Sequence, residues 1–144
     1  MHKRHKYDII VILAVLGFGV SLYLAITHYL GITVPCEITR GCEVVLKSKY
    51  AILLGLPLSV WGVCYFTLII FSSLLANHYR VFRKILTAFL GLGALASLVF
   101  LSIQFFALKK VCQYCLATDL LTILLFMLDL NIEYKNNENN KISP

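Results

Sequence analysis

The sequence predicts an all-α integral membrane protein: a four-transmembrane-helix bundle with a long cysteine-containing extracytoplasmic loop between helices 1 and 2. Three observations carry that expectation. Of the 144 residues, 60% are hydrophobic and the mean hydropathy is +0.84, more apolar surface than a soluble domain of this length can hide. The apolar residues fall into four runs, each long enough for a hydrocarbon core of about 30 Å, which takes roughly 20 helical residues. The charged residues, only 14% of the chain, gather at the ends of those runs. Length allows one domain, and backbone amides in lipid must be satisfied internally, which makes the runs helices.

The first run covers about 9–32. It follows a basic N-terminus, but it exceeds the roughly 7–15 residues of a signal-peptide core and no A-x-A site follows it, so it reads as a span. The connection 33–54 is longer than the about 12–15 residues beyond which loops are usually functional or disordered. Its second half mixes Val44, Val45, Leu46, Tyr50 and Ile52 with Lys47, Ser48 and Lys49. That pattern suits a short interfacial helix, either a spacer or a lid over a pocket among the spans. The second run, 55–76, opens on Gly55-Leu56-Pro57 and places Pro57 in the first helical turn, where a missing N–H does no harm. The third, 85–108, carries Gly91 and Gly93 among Ala88, Ala94, Ala96 and Ser97, small residues that let membrane helices approach closely. The fourth is 111–130. The tail 131–144, with Asn136, Asn137, Asn139 and Asn140, is expected to fray.

With four spans, eight basic residues share one side: Lys3, Arg4, Lys6, Arg80, Arg83, Lys84, Lys135 and Lys141. The other five are Arg40, Lys47, Lys49, Lys109 and Lys110. This bias puts both termini in the cytoplasm of a cell inner (plasma) membrane protein. The net charge of +6 therefore reads as topology, and no nucleic-acid partner is expected. The paired cysteines then lie outside, where disulfides persist.

Cys36 and Cys42 form a C-x5-C pair in the loop, and Cys112 and Cys115 a C-x-x-C pair where the last run begins. Two dithiol pairs beside lipid suggest electron movement between thiols and a lipophilic acceptor. Three apart on a helix, Cys112 and Cys115 share a face. The helix N-terminus, aided by Lys109 and Lys110, stabilises a thiolate at Cys112. Cys115 sits one turn deeper, about 4.5 Å along the axis, so that one sulfur faces the aqueous boundary and the other an apolar cavity. C-x-x-C is also a zinc half-site. Neither pair has a histidine at zinc spacing, however, the closest being His28 inside the first run, and no metal is expected.

The Cys36/Cys42 pair is either a structural staple or an exposed, labile bond in a mobile loop, open to attack by thiolates. Arg40 and Lys47 near it favour the thiolate form. Cys64, inside the second run, reads as a small apolar filler. Asp119 lies one turn past Cys115, inside a span, where carboxylates are costly and face a cavity or a partner. It either hydrogen-bonds or protonates the acceptor, or is a buried acid bonded to a neighbouring helix through a group such as Gln104 or Ser97. Trp61 and Phe66 are pocket aromatics or core packing.

The C-x5-C pair, Ser48 six residues after Cys42, the Gly55-Leu56-Pro57-Leu58-Ser59 turn with Gly62, and Cys112-Gln113-Tyr114-Cys115 together resemble the vitamin K epoxide reductase family, especially its bacterial members, over roughly residues 8–130. The resemblance implies a four-helix bundle around a quinone pocket, with ubiquinone or menaquinone as electron acceptor. It implies that Cys36 and Cys42 take electrons from a thioredoxin-like extracytoplasmic carrier of disulfides, that Cys112 exchanges with this shuttle pair, and that Cys115 faces the quinone. Ser48 matches the family's loop serine near the active site, and Ser48, Ser59, Trp61 and Asp119 are the candidate quinone contacts. Many bacterial members carry a fused thioredoxin-like domain, for which the sequence after the last run is too short, so a separate partner is expected. The vertebrate enzymes have an Asn where this chain has Leu58 and a Tyr where it has Asp119, which makes quinone rather than epoxide the expected substrate.

The expected function is therefore a membrane thiol oxidoreductase that reoxidises a disulfide carrier at the expense of quinone. Vitamin K-type quinone or epoxide reduction as the main role is the nearest alternative. A non-enzymatic membrane protein with a four-thiolate metal site or structural disulfides is the alternative from another class.

Overall fold

The computed structural model describes residues 4–142, with side chains from Tyr7 onward. Lys3, one of the orienting basic residues, and the last two residues of the tail lie outside the described residues. Helix α1 spans Arg4–Leu30, α2 is a short helix at Cys42–Leu46, and α3, α4 and α5 span Leu58–Ala76, Arg80–Ser102 and Gln113–Ile142. A π-helical segment, Ile103–Leu108, continues α4. Between α2 and α3 lie a 3₁₀ turn, Lys49–Ala51, and a hairpin of β1 (Ile52–Leu53) and β2 (Leu56–Pro57), with Ile52 opposite Pro57.

Four helices are long and apolar enough to cross a membrane: Tyr7–Leu30, Leu58–Ala76, Arg80–Leu108 and Gln113–Ile142. At 1.5 Å per residue even α3, the shortest at 19 residues, reaches about 28 Å. Helix α1 packs on α3, α3 on α4, α4 on α5 and α5 on α1, which closes a ring. Large apolar side chains such as Leu92, Leu95 and Val99 on α4 remain more than half exposed on the outside, as a lipid-facing surface requires.

The ring is filled unevenly. Tyr7, Ile10 and Ala14 of α1, Phe66, Ile69 and Ala76 of α3, Leu86 and Leu90 of α4 and Leu125 of α5 form one buried core. These positions come from the half of the bundle remote from the cysteines. Toward the cysteines the facing positions shrink to Ser21, Gly62, Gly93, Ala96 and Ser97, and a cavity opens between the helices. Gly93 is required there, because a Cβ would overlap the ring and hydroxyl of Tyr65, whose Oη donates to the Phe89 carbonyl at 3.2 Å.

Three expectations need correction. Helix α5 does not fray at residue 131 but runs to Ile142. Its polar extension is held from the side by Thr87, whose Oγ1 lies 2.6 Å from Asp129 Oδ2 and 3.0 Å from Glu133 Oε2. Residues 44–54 are not one interfacial helix. Helix α2 ends at Leu46, and the remainder turns through the 3₁₀ segment into the hairpin, whose corner residues Leu54 and Gly55 have φ of 54° and 82°. Pro57 precedes α3 at its N-cap, with ψ of 142°, rather than lying in its first turn.

Candidate active site

The two cysteine pairs meet where the long loop is strapped to the start of α5. The Tyr114 hydroxyl donates to the Pro35 carbonyl at 3.2 Å, and the Ile38 amide donates to Gln113 Oε1 at 3.3 Å. Between these straps Gly41 lies flat on the backbone of Val111. A Cβ at Gly41 would stand 2.6 Å from the Val111 carbonyl oxygen, so only glycine allows α2 to begin this close to Cys112.

Cys42, Val45 and Cys112 consequently form one buried cluster, with Cys36, Leu46, Leu108, Tyr114 and Cys115 around it. Cys42 and Cys112 are both 0% exposed. Cys36 and Cys42 are joined as a disulfide, while Cys112 and Cys115 are free thiols. Cys36 is the more accessible member of the bond, half-buried, with its Sγ 3.2 Å from the Thr39 hydroxyl. The inner sulfur of the bond, Cys42, is fully buried against the start of α5. Lys47, expected to favour a loop thiolate, turns to Glu43 at 2.6 Å across the outer face of α2.

Cys112 is not in the first turn of α5 but caps it. Its carbonyl accepts from the Leu116 amide at 2.8 Å, and its Sγ accepts from the Cys115 amide at 3.3 Å. A serine or aspartate oxygen usually takes that position. The hydrogen bond from the Cys115 side chain, assisted by the Cys115 and Tyr114 amides and opposed by burial, holds the Cys112 thiol down at about 7. The cause is this local hydrogen bonding at a helix start, not the charges of Lys109 and Lys110. The Cys112 amide in turn donates to Gln104 Oε1 at 2.9 Å.

Cys115, hydrogen-bonded to Cys112 at the edge of that cluster, also lines the cavity, whose volume is about 340 Å³. The volume lies within the about 300–1,000 Å³ typical of small-molecule sites. The walls are mostly apolar, with Leu24, Leu46, Leu53, Leu58, Trp61, Phe66, Phe100 and Ile103 among them. Ser48, Ser59, Trp61 and Asp119, the four candidate quinone contacts, all line it. Ser48 Oγ is turned to the Val45 carbonyl at 2.7 Å, and Trp61 Nε1 donates to the Leu53 carbonyl at 3.1 Å, tying α3 to the hairpin. Asp119 Oδ2 accepts from Gln104 Nε2 at 3.4 Å, with the Ser97 hydroxyl as a further partner. Both readings of Asp119 thus have a geometric basis: it is bonded to the neighbouring helix and it faces the cavity. Phe66 likewise belongs to the core and to the cavity wall. Cys64 is exposed on α3 and does not line the cavity.

Two residues take a larger part in the site than the sequence suggests: His28, placed there inside the first run, and Gln104, expected only as one partner for Asp119. His28 lines the cavity from the last turn of α1. Gln104, 3% exposed in the π-helical segment, links the amide of Cys112 to the carboxylate of Asp119. A glutamine inside an apolar span is itself a signal, since such a group must find partners within the protein.

Among the described residues no group of three or more His, Cys, Asp or Glu is placed to hold a metal ion. Comparison with curated proteins gives no match. The family model described as Vitamin K epoxide reductase family matches residues 8–130. That stretch reaches into all four spanning helices and holds both cysteine pairs and the cavity between them, and the chain therefore belongs to the vitamin K epoxide reductase family of multi-pass membrane oxidoreductases.

Proposed function

We propose that the chain is a quinone-dependent thiol oxidase that reoxidises a thioredoxin-like disulfide carrier. The observation that carries this reading is the arrangement of the sulfurs. Cys42 and Cys112 share one sealed cluster, Cys36 sits at its outer edge, and Cys115 opens on the cavity. A path for electrons runs through that order.

The carrier thiolate attacks Cys36 Sγ, the accessible sulfur, and Cys42 leaves as thiolate. The second carrier thiol resolves the mixed disulfide, which leaves an oxidised carrier and a Cys36/Cys42 dithiol. Cys42 then attacks an oxidised Cys112–Cys115 pair at Cys112 and releases Cys115. Cys36 displaces Cys112, restoring the Cys36–Cys42 disulfide and leaving a Cys112/Cys115 dithiol. This is the pairing seen in the structure. Cys112 and Cys115 finally close to a disulfide, giving two electrons and two protons to a quinone in the cavity. The lowered pKa of Cys112 suits it as the leaving and attacking sulfur near neutral pH. Asp119, oriented by Gln104, is the group proposed to carry a proton to the reduced quinone oxygen. Ser48, Ser59 and Trp61 shape the pocket.

Leu58 and Asp119 both face the cavity, so the departures from the vertebrate pattern fall on the substrate, and this supports quinone over epoxide. The proposed placement is the cell inner membrane, with both termini cytoplasmic and the cysteines outside, where an oxidising compartment sustains such exchange.

The test is quinone-dependent oxidation of a thioredoxin-like dithiol by the purified protein. Loss of that activity on Cys115→Ala supports the reading. Full activity without Cys115 would remove it, as would tight zinc with four unreactive thiols.

A further inference from the structure

The end of the bundle remote from the cysteines carries a second cavity, of about 320 Å³. Arg80, Arg83 and Lys84 line it from the start of α4, Glu133 and Asn136 from α5, and Tyr7 from α1. Glu133 is the only acid on this wall among the described residues, and its carboxylate lies 3.0 Å from the Thr87 hydroxyl. Asp129, just behind the wall and bonded to the same Thr87 hydroxyl, also acts on Arg83 and Tyr7, so three cations face two acids, both already engaged. Helix α4 starts at Arg80 with no side-chain cap, so its first-turn amides add positive potential.

The polar groups here lack partners. Tyr7 is only 7% exposed, yet its hydroxyl has no hydrogen-bond partner among the described residues, and neither has Arg83 Nε or Asn136 Oδ1. Three buried polar atoms left unpaired around one basic cavity are costly to a fold unless something fills it. The level of the cavity indicates what does. It lies where α3 ends at Ala76 and α4 begins, at the end of the spanning helices, and the helix ends there carry the exposed aromatics Tyr79 and Tyr134, a residue type enriched at membrane–water interfaces.

We propose that this cavity binds the phosphate of an anionic lipid headgroup. Arg80, Arg83 and Lys84 neutralise the phosphate, the Tyr7 hydroxyl and Arg83 Nε donate to its oxygens, and Asn136 Oδ1 accepts from a headgroup hydroxyl. Basic pockets between spans are suited to such groups.

The full chain, released in detergent, is titrated with phosphatidylglycerol, phosphatidylcholine and inorganic phosphate, and bound lipid is counted by native mass spectrometry. Phosphatidylglycerol is expected to saturate at a concentration at least about tenfold below phosphatidylcholine, and Arg83→Gln and Lys84→Gln to reduce that preference by about fivefold each. Lys84 is exposed, so its replacement leaves the fold intact even if Arg83→Gln does not. Tyr7→Phe should weaken the preference without lowering the melting temperature, since the hydroxyl it removes has no partner among the described residues. Equal binding of the two lipids overturns the proposal, as does a preference unchanged in both Lys84→Gln and Tyr7→Phe. Inorganic phosphate that raises the melting temperature as much as phosphatidylglycerol does would overturn the lipid assignment.

Discussion

The side-chain carbonyl of Gln104 accepts the amide proton of Cys112 at 2.9 Å, so a residue from the π-helical end of α4 sets where α5 begins. The other end of the same carboxamide reaches Asp119. One buried side chain thus fixes both the sulfur that faces the loop and the carboxylate that faces the cavity.

Gln104→Leu is expected to leave the buried Cys112 amide unpaired, which costs about 1–3 kcal/mol, and to slow both thiol exchange and quinone reduction. Thermal unfolding in detergent and carrier oxidation rates check this. A variant of wild-type stability and rate would show that Gln104 does not position Cys112.

Cys112, held at about 7 rather than the ordinary 9.0, should be largely thiolate at pH 8 and protonated at pH 6. Its alkylation rate should therefore rise with pH through about 7 and fall about tenfold per unit below it. In Cys115→Ala the main stabilising hydrogen bond is gone, and the midpoint should move up toward 9.0. An unmoved midpoint would exclude Cys115 as the cause.

Gly41→Ala places a Cβ against the Val111 carbonyl and must push α2 from Cys112. Exchange between the pairs should slow by about tenfold or more, as displacements near 1 Å do to aligned reactants. Reduction of the Cys36–Cys42 disulfide by a small thiol should be unaffected. Rapid-quench labelling of the four thiols separates the two steps.

Asp119→Asn should slow quinone reduction by about a hundredfold if Asp119 carries the proton, while a single turnover of carrier oxidation stays unchanged. Unchanged quinone reduction would remove the proton-carrier role and leave Asp119 as a partner of Gln104.

Much of this architecture was legible in the sequence because lipid imposes it. Four apolar runs became four spans, since runs of about 20 apolar residues satisfy their own amides in hydrocarbon as helices. Some of their ends moved by a turn or more, and by about three turns at the end of α5, whose extension begins beside Thr87. The cysteine pairs were legible by spacing, and so was the position of Cys115 at an apolar cavity, but the full burial of Cys42 and Cys112 was not. Cys42 is buried because Gly41 permits contact with Val111, a fact of tertiary approach that no local pattern carries. Cys112 caps α5 because Gln104, eight residues earlier, holds its amide. The spacing of Asp119 one turn from Cys115 did point to the cavity, since that rule depends only on helical geometry. The hairpin at residues 52–57 escaped notice because two residues per strand leave no period to read.

The account turns on exchange between Cys42 and Cys112 inside the sealed cluster. In the double variant Cys36→Ala, Cys115→Ala, neither sulfur retains its resolving neighbour. Under mild oxidation, peptide mapping by mass spectrometry should then recover a Cys42–Cys112 disulfide as the dominant cross-link. Cys42 and Cys112 recovered as free thiols, or Cys42 joined to Cys64, would contradict it.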